Sequence, residues 1–415
     1  MAKETKWGST YKVLLDVGFL ANQFVLDTSE LDGFAVLDGS TTFVDITQYV
    51  TNININRGRA TQLDTFPSSS CTVVADDRAA DRYFDPLNTS SEWYSGGTVG
   101  IAPRRKFEVY GGTAGTQAMF SGFVYDLNID YADPDLSTAT IVCTDALGQL
   151  SQTTIDEFTP SEQLTSARVN AILDLNEVSF STALRSIETG VATCSDFPYP
   201  DATNVLQALN DVATAEGGRL FVGRSGLLNF DARVGAASGS AVASFGGTAG
   251  LPIQSLTNEF GAETVLNRVT VSVAGGVDVA VANGTASQVA YGIKTASLTD
   301  LPLVDDGVAD QSLADFYLSR FENPTVQFSG FTVLLNALTP AQQEVVAGLE
   351  IGDFVSVSKS FNVGLPATVS QNVVVESIRH SINPNRHDVT VGLGQIRLAF
   401  VLDTSNLDNP DYGLQ

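Results

Sequence analysis

Thr42-Phe-Val-Asp-Ile-Thr-Gln-Tyr-Val50, followed at once by Asn52-Ile-Asn-Ile-Asn56, decides the fold class of this chain. Apolar and polar residues alternate with a period of two, the period at which a strand turns side chains to opposite faces, so each segment reads as a half-buried strand. Cys71-Thr-Val-Val-Ala75, Lys106-Phe-Glu-Val-Tyr110, Met119-Phe-Ser-Gly-Phe-Val-Tyr125 and Ala139-Thr-Ile-Val-Cys143 continue the series. Gly111-Gly112 and Asp133-Pro134-Asp135 punctuate it as turns. About six strands at this spacing predict a barrel or sandwich over residues 39–155.

Residues 156–250 change character. Leu164, Val169, Ile172 and Leu173 fit a helix that starts near a Ser161 cap. Between Asp201 and Glu216, the residues Val205, Leu206, Leu209, Val212 and Ala213 form an i, i+3, i+4 stripe, and Gly217-Gly218 ends it. Arg219-Leu-Phe-Val-Gly-Arg-Ser-Gly-Leu-Leu-Asn-Phe-Asp231 reads as a hairpin turning on Arg224-Ser225-Gly226. The expectation is a small α+β insert, leaving through a Gly/Ser/Ala-rich linker at 235–250. Residues 251–398 return to strands (265–273, 277–281, 328–335, 354–357, 373–378 and 388–393), interrupted by one helix carrying Leu313, Phe316, Tyr317, Leu318 and Phe321 before Pro324.

A duplication brackets the chain. Phe24-Val-Leu-Asp-Thr-Ser-Glu-Leu-Asp32 returns as Phe400-Val-Leu-Asp-Thr-Ser-Asn-Leu-Asp408, identical at eight of nine positions. Each copy reads as a short apolar strand ended by an Asp-Thr-Ser turn. Two readings stand side by side. The copies are arms, 1–38 and 399–415, docking into equivalent grooves through Phe24, Val25, Leu26 and Phe400, Val401, Leu402; or they are a reused strand-and-turn cap.

Composition narrows the function classes. The chain has 415 residues, enough for about two to four domains. Forty-seven acidic against 22 basic residues give a net charge of −25, which argues against sequence-independent grip on DNA or RNA. If such a surface lined a DNA channel, it would repel the duplex rather than hold it. Cys71, Cys143 and Cys194 lack metal-ligand spacing and are odd in number, so they read as buried hydrophobes. The start, Met-Ala-Lys-Glu-Thr-Lys-Trp7, has no signal-peptide stretch, and no run reaches the roughly 18 apolar residues of a membrane helix. The expectation is a chain made in a cytoplasm, without membrane insertion.

Catalytic chemistry finds little purchase. The two histidines, His380 and His387, flank an Asn-Pro-Asn turn; facing each other across two strands they would make an incomplete metal pair, and the expectation is two surface hairpin histidines. There is no Gly-x-Ser-x-Gly elbow and no P-loop, and Gly392-Leu-Gly394 lacks the helix a nucleotide loop needs. Asp76, Asp77, Asp81 and Asp85 interleave with Arg78 and Arg82, which reads as a self-satisfying ion-pair turn rather than a pair of tuned acids. Asp126, Asp130, Asp133 and Asp135 lack the spacing and closing Glu of an EF-hand, and read as a solvated hairpin end. No catalytic residue, cofactor or metal is assigned.

The order of several phrases resembles the minor tail proteins of siphophages, the tail-tip or baseplate hub family. They are Phe24-Val-Leu-Asp-Thr-Ser-Glu-Leu-Asp-Gly33; Val44-Asp-Ile-Thr-Gln-Tyr-Val50 with Asn56-Arg-Gly-Arg59; Asp81-Arg-Tyr-Phe-Asp-Pro-Leu-Asn88; Thr144-Asp-Ala-Leu-Gly-Gln-Leu150; Glu216-Gly-Gly-Arg-Leu-Phe-Val222; and Leu349-Glu-Ile-Gly-Asp-Phe-Val355. The resemblance implies a mainly β fold with an α+β insert: two tail-tube-like β-barrel domains, 39–155 and 251–398, separated by a helix-plus-hairpin domain at 156–250. It implies a homotrimeric ring whose paired barrels give six pseudo-equivalent positions. Such a ring joins the sixfold tail tube and distal tail protein to threefold tip components in the virion. Tape measure protein and fibre or other tip proteins are implied partners, and viral DNA is implied only as passing cargo. Longer relatives append receptor-binding or lytic domains; in a chain stopping at 415 those tasks are expected of partner proteins. A host-glycan-binding or depolymerising tail protein is the rival reading. It requires exposed aromatics beside paired acids, with only Trp7 and Trp93 as tryptophans.

Overall fold

The computed structural model describes residues 11–18, 43–78, 81–95, 98–113, 115–131, 137–233, 240–261, 265–395, 398–399 and 412–413. A first β unit is an antiparallel run in the order Phe43–Asp45, Lys12–Asp16, Lys106–Gly111, Gln117–Asp130, Thr138–Thr144, Ser70–Asp76 and Val50–Gly58. Alternation does the work predicted for it: Ile53, Ile55, Cys71, Val73, Phe107, Val109, Ile141 and Cys143 all turn into one core.

The second β unit runs Ala243–Gly246, Phe354–Ser360, Thr368–Asn383, Arg386–Gln395, Gln327–Leu334 and Ser255–Glu259 around Phe245, Phe331, Val333, Val355, Val375 and Val391. Its strand order repeats that of the first unit, and so does its register. Phe123 pairs with Lys106 and Thr144, as Val374 pairs with Phe354 and Gly394. Both long central strands carry a bulge two residues further on, at Tyr125 and at Glu376. One difference is direction: Lys12–Asp16 is antiparallel to its neighbour, whereas Ala243–Gly246 is parallel.

Between them lies the helix-plus-hairpin unit. Val205–Glu216 is capped by the Asn204 side chain, which accepts from the Gln207 N–H, and ends on Gly217 at φ +66°, a left-handed position that favours glycine. The hairpin Arg219–Val222 with Leu228–Asp231 turns through Gly226, as the sequence predicts. Arg185–Ile187 adds a parallel third strand.

Several expectations are corrected. Part of the expected arm 1–38 is sheet: Val13, Leu15 and Val17 alternate into the first core, a short period-two signal that an arm assignment hides. The helix after Ser161 starts at Thr165, because Gln163–Leu164 first pairs with Thr193–Cys194. The linker stretch contains the strand Ala243–Gly246. Among the described residues of 251–398 there are three α-helices rather than one. Thr285–Tyr291 lacks an apolar stripe, and Pro340–Ala347 opens with a Thr339 and Gln342 capping box and Pro340 at its first position. Strands Arg268–Val273, Val279–Asn283 and Thr295–Leu301 form a separate sheet, covered by the helix Ala309–Phe321.

Candidate functional site

The two β units are joined by backbone pairing. Beyond Glu376 the strand Thr368–Asn383 outruns its neighbour Phe354–Ser360, and its free edge takes Val50–Gly58 of the first unit: Ser377 faces Gly58, Ile378 Arg57, His380 Ile55 and Ile382 Ile53. Ile378 packs in the second core and Ile382 in the first, so one strand serves both. Ladder bonds, with the side chains that alternate across them, make this seam.

Buried charges lock it. Arg59 Nε donates to Glu376 Oε2 at 2.7 Å while the Arg59 N–H donates to the Glu376 carbonyl at 3.1 Å. Gln62 adds a 3.1 Å bond to Glu376 Oε1 and bonds the Gln395 backbone. Burial alone would push the Glu376 carboxyl up, but Arg59, Arg219 and the Gln62 amide hold it below the usual carboxylate range. Arg57, 2% exposed, donates to Glu350 Oε1 at 2.5 Å. Glu350 Oε2 accepts from the Arg224 N–H at 2.8 Å, bringing the middle hairpin into the same cluster. Gly58, at φ +98°, is demanded by the approach: a Cβ there would stand 2.2 Å from the Glu376 carbonyl.

The histidines stand at this seam and are buried, contrary to the surface expectation. They do face each other across two strands: His380 Nδ1 lies 3.0 Å from His387 Nε2, and Tyr11 Oη lies 2.7 Å from His387 Nδ1. Tyr11, just before the strand Lys12–Asp16, lies 376 positions away in sequence, which local patterning does not reveal. Burial pushes His387 down to about 3. It pushes His380 well below its ordinary value, with the His387 and Arg57 charges adding to the effect. Both nitrogens of His387 are occupied by hydrogen bonds, and no group of three metal-ligating side chains occurs among the described residues.

The remaining sequence candidates scatter. Within the acidic loop Arg82 pairs with Asp85, while Asp77 accepts from the Phe84 N–H and from Ser137 Oγ outside it. Asp126 accepts from the Leu127 N–H and from Asn128 at an exposed strand end, while 133 and 135 lie outside the described residues. All three cysteines are buried and free, and burial pushes their thiols up, Cys194 to about 12. Trp93 is 4% exposed and sits in the first core, away from any surface on which a sugar could stack. Phe24, Val25, Leu26, Phe400, Val401 and Leu402 lie outside the described residues. Sequence reading assigned no role to Arg57, Arg59, Gln62, Glu350 or Glu376; the hint was Arg-Gly-Arg closing an alternating strand.

No protein-family model matches the chain, and no curated protein matches it in sequence. Solved structures do. A tail protein from Neisseria meningitidis MC58 matches with a TM-score of 0.55 at 12% identity, over 85% of this chain and 93% of that one. The 43 kDa tail protein of prophage MuSo2 from Shewanella oneidensis gives 0.54 at 13%, over 93% and 97%. The chain has the fold of phage tail proteins. Prophage tail protein gp18 from Listeria monocytogenes EGD-e gives 0.50 at 11% identity, over 92% and 94%. At these identities the likeness concerns fold, and it spans both β units and the insert together.

Proposed function

We propose that the chain is a structural, non-catalytic hub of a phage tail tip. Three copies form a ring that joins the sixfold tail tube and distal tail protein to threefold tip components and gates the DNA channel. One observation carries this reading. A single chain holds two copies of one β unit, bonded edge to edge, so three chains offer six similar units while keeping threefold symmetry. The likeness in fold to three tail proteins, two of them from prophages, supports the setting.

Tape measure protein, distal tail protein and fibre proteins are the partners this role requires, and the virion tail tip is the place it requires. DNA passes through without being gripped, in keeping with a net charge of −25. Negative-stain electron microscopy of the purified protein tests the proposal: three-chain rings with six outer lobes are expected, and solitary chains at every concentration would refute it.

A further inference from the structure

Among the described residues, several strand edges lack a ladder partner, and two of them are the repeat equivalents of the two halves of the seam. One is the far half of Gln117–Asp130 beyond its bulge, residues 126–130; the other is the outer edge of Ser255–Glu259. The repeat shows what each looks like when filled. Aligning the units on their bulges places Asp126, Leu127, Asn128, Ile129 and Asp130 on Ser377, Ile378, Arg379, His380 and Ser381, the residues that take the first unit at the seam. Leu256 faces Phe331 as Ile53 faces Val73, which places Leu256 through Gly261 on Ile53 through Gly58. The seam glycine therefore recurs as Gly261.

Burial follows the same logic. At the filled seam Ile53, Ile55, Arg57, Ile378, His380 and Ile382 are all buried. At the open edges the equivalents Leu127, Ile129 and Leu256 are only half-buried, and Tyr131 and Phe260 are 50% and 66% exposed. Except at Asn258, an exposed polar residue where the seam has Ile55, the alternation is that of the seam with one neighbour missing.

We infer that residues 126–131 of one copy pair antiparallel with residues 256–261 of a second copy, repeating between chains the seam built within each. This rests on the ring reading above and gives it a register: Gly261 opposite Asp126, Phe260 opposite Leu127, Glu259 opposite Asn128, Thr257 opposite Asp130 and Leu256 opposite Tyr131. The occupant is another copy because each edge has the sequence spacing of one half of an existing seam, and both halves are on this chain. Such a contact is head-to-tail and closes only as a ring. Glu259 falls diagonal to Asp126 and Asp130 on one face, so like charges oppose the contact and salt strengthens it.

Paired cysteines test the register, since directly opposite residues are within disulfide reach. The double variant Asn128→Cys with Glu259→Cys, concentrated in high salt and oxidised, is expected to give covalent trimers. Asn56→Cys with Arg379→Cys, the equivalent pair inside one chain, is the control and should close as a monomer. Trimers by sedimentation that never cross-link, with the control closed, would overturn the register and leave the hub reading standing. A covalent species of another size would support the pairing and overturn the trimer. Only monomers, with the control closed, would refute this inference. Phe260→Lys, on an exposed side chain, is expected to weaken association at least tenfold without altering the circular dichroism spectrum; unchanged association would count against the contact.

Discussion

Glu376 meets Arg59 twice, its carboxylate accepting from Nε at 2.7 Å and its carbonyl from the backbone N–H at 3.1 Å. The bulge at Glu376 presents both groups to the incoming strand, so the residue that bends one β unit is also the residue that captures the other. Arg59→Ala removes the hydrogen-bonded cation of a buried carboxylate and leaves it the charge of Arg219. Breaking such a pair costs about 3–5 kcal/mol, so a urea midpoint well below that of the parent is expected.

Gly58→Ala tests the close approach. A Cβ at φ +98° would press on the Glu376 carbonyl 2.2 Å away, and the backbone conformation by itself costs about 1–3 kcal/mol. Thermal unfolding should show the loss, while Gly292→Ala, also at positive φ but with open space around it, should cost less.

Acid should loosen the seam. The folded-state value of His387 is about 3 against 6.5 for the free side chain, and His380 is lowered as well, so the unfolded chain binds more protons across that range. The stability these residues contribute is fully present above pH about 6.5 and is lost as pH falls toward 3. Asp211, pushed up to about 6 by burial with the Asp300 charge adding to it, works the other way between 3.8 and 6. Denaturation at pH 7 and pH 4.5 should show a net loss on acidification that shrinks in a His387→Gln variant.

The duplicated segments invite a deletion. Removing residues 399–415 is expected to leave the two β units folded and to weaken tail assembly, if Phe400, Val401 and Leu402 dock as a strand. Intact tails by electron microscopy would favour the reading of a reused cap.

Much of the fold was legible because it is local. Asn52-Ile-Asn-Ile-Asn56 alternates, the stripe from Val205 to Ala213 winds as a helix, and Gly226 turns its hairpin. What local pattern cannot carry is choice of partner. Ile53 and Ile55 announce a buried face, yet nothing near them in sequence says that Ile382 and His380 cover one flank of the ladder. The histidines misled for the same reason: a hairpin tip suggests solvent until Tyr11 arrives from the far end of the chain. The helix Pro340–Ala347 did carry its start signal in Thr339-Pro340 and Gln342, but its short apolar face gave no stripe to weigh it against strands on either side.

The central claim is that two fused β units per chain build a ring of three. Sedimentation equilibrium of the purified chain, run across a range of concentration and salt, tests it most directly. The account predicts a mass three times the 43.9 kDa of one chain, favoured as salt rises. A mass of one chain throughout, or a closed assembly of any other number, would contradict it.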